Sequence, residues 1–244
     1  MRSFLTGFMV LITLAACSNR IIHEAPIIDG WKQGDAKASE YRVQTNDSIY
    51  SIAWAFDTDY RALANANHLQ EPYHLSKGQV LHLTAGAEST NNPPAQTATT
   101  IAQPTLVSNA IAPAASLSPT PTHLKCPTTG KITKGFSQAA GGNKGIDISG
   151  TLGQPIMAID TGKVVYAGAS LPGYGNLIII KHNENQLSAY AFNQVIIVKE
   201  GQVVKAGQSI AKMGINDSGK PTLHFEIREA GKPVNPMLYY TART

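Results

Sequence analysis

The sequence predicts a mostly β protein in two folded units, a small βααβ module and then an all-β domain, joined by a disordered linker. Three observations carry that prediction. Residues 125–244 contain short β-type runs separated by Gly, Pro and Asn turns. Residues 39–83 read as strand, helix, helix, strand. Residues 84–124 hold one charge, Glu88, and six prolines among Ala, Ser, Thr, Gln and Asn, a composition that cannot bury a core. The 244 residues admit one or two domains, and 43% hydrophobic against 15% charged content supports packed cores. Two cysteines exclude a disulfide scaffold or a Cys-based zinc ribbon. A net charge of +4 permits contact with an anionic polymer without choosing one, and no nucleic acid is expected among the partners.

In chain order, residues 1–16 join Arg2 to an apolar run from Phe4 to Leu14, too short to cross about 30 Å of hydrocarbon. This is a secretory signal peptide. Leu14-Ala15-Ala16-Cys17 resembles the bacterial lipobox. That resemblance implies lipidation of Cys17, cleavage before it, and a membrane contact through the lipid anchor. Ser18, where Asp usually retains a lipoprotein in the inner membrane, implies the periplasmic face of the outer membrane. Residues 17–38 carry no period and read as a tether. Cys126 is then unpaired and reads as a buried or half-buried small apolar residue.

In the 39–83 unit, Tyr41-Arg42-Val43 begins a strand. Asn46-Asp47-Ser48-Ile49 is a turn in which Asn46 or Asp47 can cap a helix, a role that also suits Ser48 beside Asp47. Ile49, Ile52, Ala53 and Phe56 recur at helical spacing, Tyr60–Ala66 is a second helix with Leu63 and Ala64 inward, and Leu75–Leu81 leads into a second strand. Tyr-x-Val, Asp-Ser-Ile, Ser-Ile-Ala, Leu-Ala-x-Ala-Asn and Gly-Gln-x-Leu appear here in order, and the unit resembles the LysM module. The resemblance implies binding of N-acetylglucosamine-containing glycans, chiefly peptidoglycan. It implies a groove at Asp47, Ser48 and Ile49 and at Asn67, His68 and Leu69. The unit carries three Lys/Arg against five Asp/Glu, which disfavours a purely charge-driven contact.

The 125–244 domain carries twelve Lys/Arg (counted from residue 126) against seven Asp/Glu. Its expected strands include Pro155–Ile159, Lys163–Ala167, Leu177–Lys181, Leu187–Phe192, Val203–Val204, Ser209–Met213 and Thr222–Arg228. Asn143-Lys144-Gly145-Ile146-Asp147, Ser188-Ala189-Tyr190-Ala191-Phe192 and Thr222-Leu223-His224-Phe225-Glu226 together resemble the LytM domain of the M23 zinc endopeptidases. Active members supply His-x-x-x-Asp and the second His of His-x-His as zinc ligands, plus a histidine after Tyr-Ala and the first His of His-x-His. This sequence has Asn143, Phe192 and Thr222 at three of those five positions and keeps Asp147 and His224. Two protein ligands rarely hold zinc against water, so no metal, no cofactor and no catalysis are expected. His182 reads as a solvated turn residue, and His224 as a buried histidine hydrogen-bonded to Asp147.

The combination of lipobox, LysM, proline-rich linker and degenerate LytM resembles NlpD-like lipoproteins. That family implies activation of periplasmic N-acetylmuramoyl-L-alanine amidases through a groove lined by Asn143, Asp147, Phe192, Thr222 and His224, in cell separation or wall remodelling. An active cross-link endopeptidase lacks three required histidines. A structural tether between outer membrane and wall is not separated from the activator by sequence alone.

Overall fold

The computed structural model describes residues 27–29, 39–83 and 125–239. The expected signal peptide, Cys17, the 84–124 linker and most of the tether lie outside the described residues. The N-terminal unit contains β1 (Ile27–Asp29), β2 (Glu40–Arg42), α1 (Ile49–Ala55), α2 (Tyr60–Ala66) and β3 (Val80–His82). Strand β2 is central, parallel to β1 and antiparallel to β3. β1 falls inside the stretch read as a patternless tether; three residues joined through backbone pairing leave no periodicity to detect.

Helix α1 is capped by Ser48, not by Asn46 or Asp47. Ser48 Oγ accepts from Ser51 N at 3.1 Å while Ser51 Oγ accepts from Ser48 N at 2.9 Å, a reciprocal capping box. Asn46 is committed to the turn at φ 68°. Asp47 is committed elsewhere: its carboxylate accepts from Tyr41 Oη at 2.7 Å and Gln44 N at 2.8 Å.

The C-terminal domain contains β4 (Ile132–Lys134), β5 (Ile146–Ser149), β6 (Pro155–Met157), β7 (Gly162–Gly168), β8 (Asn176–Lys181), β9 (Gln186–Ile196), β10 (Val203–Val204), β11 (Ser209–Met213), β12 (Thr222–Glu229) and β13 (Lys232–Val234), ending in a 3₁₀ turn at Pro236–Leu238. The main sheet runs β10-β7-β8-β9-β12-β5-β4, with β13 beside β12 and β11 bridging β6 and β9. All of the C-terminal pairings are antiparallel.

The two units are packed together. Alternate residues of a strand point to opposite faces. On one face of the large sheet, Leu177, Ile179, Leu187, Ala189 and Ala191 share a single apolar cluster with Ile49, Ile52, Trp54, Leu63 and Leu81 of the small unit. On the other, Ile178, Ile180, Tyr190, Leu223 and Phe225 form the domain's own core. Polar contacts rim the junction: Tyr60 Oη donates to Glu184 Oε2 at 3.1 Å and Arg61 Nη1 to Asn185 Oδ1 at 2.7 Å. Gly231, at φ 78°, marks a close approach of the backbones, since a Cβ there would lie 2.5 Å from Asp59 N. Cys126 is exposed rather than buried; it precedes the first strand of the domain, outside the packed layers.

Candidate functional site

β12 builds the floor of the first site. His224, Glu226 and Arg228 are spaced by two and share one face of the strand. Register sets His224 between Asp147 on β5 and Ala191 on β9. His224 Nδ1 lies 2.7 Å from Asp147 Oδ1, and Nε2 lies 3.0 Å from Glu226 Oε1. Glu226 is also held by Tyr174 Oη at 3.0 Å and by Arg228 Nη2 at 3.1 Å. Arg228 reaches out of the domain. Its Nη1 lies 3.0 Å from Asp57 Oδ1 and donates to the Trp54 carbonyl at 3.0 Å, with the guanidinium 3.9 Å above the Trp54 ring centroid. Asp57 closes the chain onto Lys144 at the cavity rim. Charges of alternating sign therefore run from Asp147 through His224, Glu226, Arg228 and Asp57 to Lys144.

Burial pulls the His224 pKa down, but its hydrogen bonds to Asp147 and Glu226 outweigh that and raise it to about 9. Burial pushes Glu226 up, yet Arg228 and His224 hold it at about 2. At neutral pH His224 is thus an imidazolium with both N–H groups donated. A group whose folded pKa is raised stabilises fully below its unfolded value of about 6.5 and loses that contribution as pH rises through about 9. Urea unfolding should show stability falling by about 3 kcal/mol between pH 6 and pH 9.5. His224→Asn should flatten that slope; an equal slope in the variant would assign the loss to other groups.

A cavity of about 270 Å³ opens above this floor, lined by Asn143, Asp147, Phe192 and His224 together with Tyr174, Lys144 and Ala55 of the small unit. Thr222 is not in that lining; it is buried, with Oγ1 donating to Lys220 O at 3.1 Å. Asn143 turns its amide inward, Nδ2 donating to Gly145 O at 3.0 Å and Gly135 O at 3.2 Å. Phe192 sits at φ 61°, a left-handed conformation costly for a bulky side chain, with its ring 6.1 Å from that of His224.

These side chains do not fit a zinc ion. Both nitrogens of His224 are engaged with carboxylates, and the Asn143 amide faces the backbone. Among the described residues, no group of three or more His, Cys, Asp or Glu is arranged to hold a metal. His182 is not a solvated turn residue. Its Nδ1 lies 2.9 Å from Thr161 O and its Nε2 2.7 Å from Ser188 Oγ, and burial lowers its pKa.

The glycan-groove candidates separate. Asp47, Ser48 and Ile49 line a second cavity of about 650 Å³ whose other small-unit wall is Glu71–Leu75. Asn67, His68 and Leu69 are not in that lining. Asn67 instead pins α2 to β3, donating to Leu63 O at 2.8 Å and His82 O at 2.9 Å and accepting from His82 N at 2.7 Å. His68 is exposed at φ 55°, and Leu69 packs against the apolar cluster. Tyr174, Glu226, Arg228 and the small unit's own share of the first cavity are parts of the site that the motifs do not single out. The period-two spacing of His224, Glu226 and Arg228 is a usable clue to Glu226 and Arg228, and no spacing signal points to Tyr174.

Comparison with known proteins gives two family matches along the chain. The chain matches the LysM domain over residues 41–84 and peptidase family M23 over residues 141–236. It is 38% identical over 275 residues to a lipoprotein NlpD/LppB homolog of Pseudomonas aeruginosa, covering 98% of this chain and 92% of that protein. It is 44% identical over 233 residues to outer membrane antigenic lipoprotein B of Histophilus somni, covering 86% and 69%. It is 38% identical over 265 residues to the murein hydrolase activator NlpD of Escherichia coli, covering 86% and 70%.

Proposed function

The chain belongs to the NlpD/LppB family of lipoproteins, and from that membership we propose that it is a non-catalytic activator of periplasmic N-acetylmuramoyl-L-alanine amidases, bound to peptidoglycan through its LysM module. The observation that carries the reading is the fate of the M23 centre. The histidine that would face a metal is locked between two carboxylates. A strained phenylalanine stands beside it in a concave cavity. Such a cavity offers a partner segment one apolar ring among polar and charged groups, and its histidine has no free ring nitrogen to take a proton from water.

Activation then follows from differential binding. Amidases of this class are held off by a helix over their own active site. A protein that binds the opened form more tightly than the closed one shifts the population toward it. Phe192 supplies the apolar contact an amphipathic helix needs, with Asn143, Asp147 and His224 of the ancestral site lining the cavity beside it and Thr222 buried outside that lining. Cys17 supplies the lipid anchor at the periplasmic face of the outer membrane, in keeping with relatives named as outer membrane lipoproteins.

Purified protein should contain no stoichiometric zinc, cut no peptidoglycan cross-link, and stimulate release of label from peptidoglycan by an amidase of its own organism. Stoichiometric zinc with cleaved cross-links would overturn the non-catalytic reading. Failure to stimulate any amidase would leave a structural tether between membrane and wall.

A further inference from the structure

The 650 Å³ cavity is a cleft between the two units. One wall is the 47–50 turn and the 71–75 loop of the small unit; the other is the edge of the large sheet at Gly162–Val165, the Lys181–Glu184 turn and the Glu200–Val203 segment. The geometry points to a composite carbohydrate site, in which the C-terminal domain supplies half of the surface that holds a neutral N-acetylhexosamine chain. This inference rests on the proposed glycan binding of the LysM module and extends it to residues outside that module.

Four features support it. The volume falls within the roughly 300–1,000 Å³ of small-ligand sites. Aromatic side chains line the small-unit wall, where Tyr50 packs 4.6 Å from Tyr60 and 6.2 Å from Tyr73 between ring centroids, a rigid surface for the apolar face of a pyranose. On the opposite wall Val203 is 68% exposed, an apolar side chain left open on the rim. Val203 pairs directly with Lys163 across β10 and β7, so both project from the same face of the sheet edge.

The charges select the ligand class. Asp47, Glu71, Glu184 and Glu200 line the cleft against Lys163 and Lys181. Lys181 is already engaged, 2.7 Å from Glu184, 3.6 Å from Glu71 and 5.2 Å from the Tyr60 ring centroid. A carboxylate-bearing polymer meets a surplus of negative charge, whereas hydroxyl and acetamido groups find hydrogen-bond partners without that penalty.

The test is calorimetric titration of the full chain with the N-acetylglucosamine hexamer. Val203→Ala and Lys163→Ala, both on exposed side chains of the second domain, should each weaken binding three- to tenfold. A hyaluronan hexamer, with a carboxylate on every second sugar, should bind at least tenfold more weakly than the neutral hexamer. If the parent binds the neutral hexamer and both variants match it, the composite site is wrong and the LysM module binds alone. If the hyaluronan hexamer binds equally well, the charge argument fails. If the parent binds no hexamer, the glycan reading of the module itself falls, and this inference with it.

Discussion

Replacing Arg228 with alanine is expected to lower the free energy of unfolding by about 3–5 kcal/mol, the cost of breaking a buried ion pair by removing one partner. The Arg228 side chain is 1% exposed and serves both units at once. Its loss leaves the Glu226 carboxylate, also 1% exposed, with only His224 and Tyr174 to balance it. It also removes the cation that covers the Trp54 ring and the shorter of two hydrogen bonds to the Trp54 carbonyl, leaving the one from Asp57 N at 3.4 Å. The same substitution should therefore loosen the small unit from the sheet, and Trp54 emission should move to the red as its ring meets water. Urea titration followed by circular dichroism and by fluorescence measures both effects. A loss under about 1 kcal/mol with unchanged emission would mean that the units are not held through this residue in solution. Arg228→Met with Glu226→Gln should recover part of the loss, because it removes both charges rather than orphaning one.

That coupling between units is what the sequence reading did not see, although β8 carried the clue. Leu177, Ile178, Ile179 and Ile180 form an unbroken apolar run, and all four are 0% exposed. An antiparallel sheet with one solvated face alternates apolar and polar residues; a continuous run means both faces are covered. One cover is the domain's own core, and the other is the small unit. The runs at 163, 177, 187, 209 and 222 were legible as strands because each buries alternate or consecutive apolar residues, and the short runs at 155 and 203 because each buries one apolar residue between turns. β4 was not, since all three of its residues are exposed and only backbone pairing to β5 defines it.

The candidate site was legible to the same depth. Of the five positions the motif groups together, Asn143, Asp147, Phe192 and His224 line one cavity and Thr222 does not. What they do there depends on partners that motif spacing does not name. The inward turn of the Asn143 amide and the second carboxylate on His224 come from the local path of the backbone and from the neighbouring strands.

Phe192→Gly should separate binding from stability. The left-handed backbone at φ 61° costs a phenylalanine about 1–3 kcal/mol and costs glycine almost nothing. Deleting the ring gives up a half-buried apolar surface of comparable worth. The two terms oppose each other, so stability should change by less than about 1 kcal/mol. The backbone there is otherwise fixed, Phe192 N donating to Tyr174 O at 2.9 Å and Phe192 O accepting from Gly214 N at 2.8 Å, bonds that glycine keeps. If the cavity docks an amidase's blocking helix, the ring is the apolar anchor of that contact. Removing an anchor costs about 2 kcal/mol or more, which is roughly a thirtyfold weaker complex. Phe192→Gly should then fold as well as the parent and need about thirtyfold more protein for half-maximal stimulation of the amidase. Phe192→Leu keeps apolar bulk in the same strained position and should fall between the two. Should the glycine variant fold normally and stimulate at the parent's concentration, the amidase docks elsewhere. The strain at Phe192 would then serve only the close pairing of β9 with Tyr174 and Gly214.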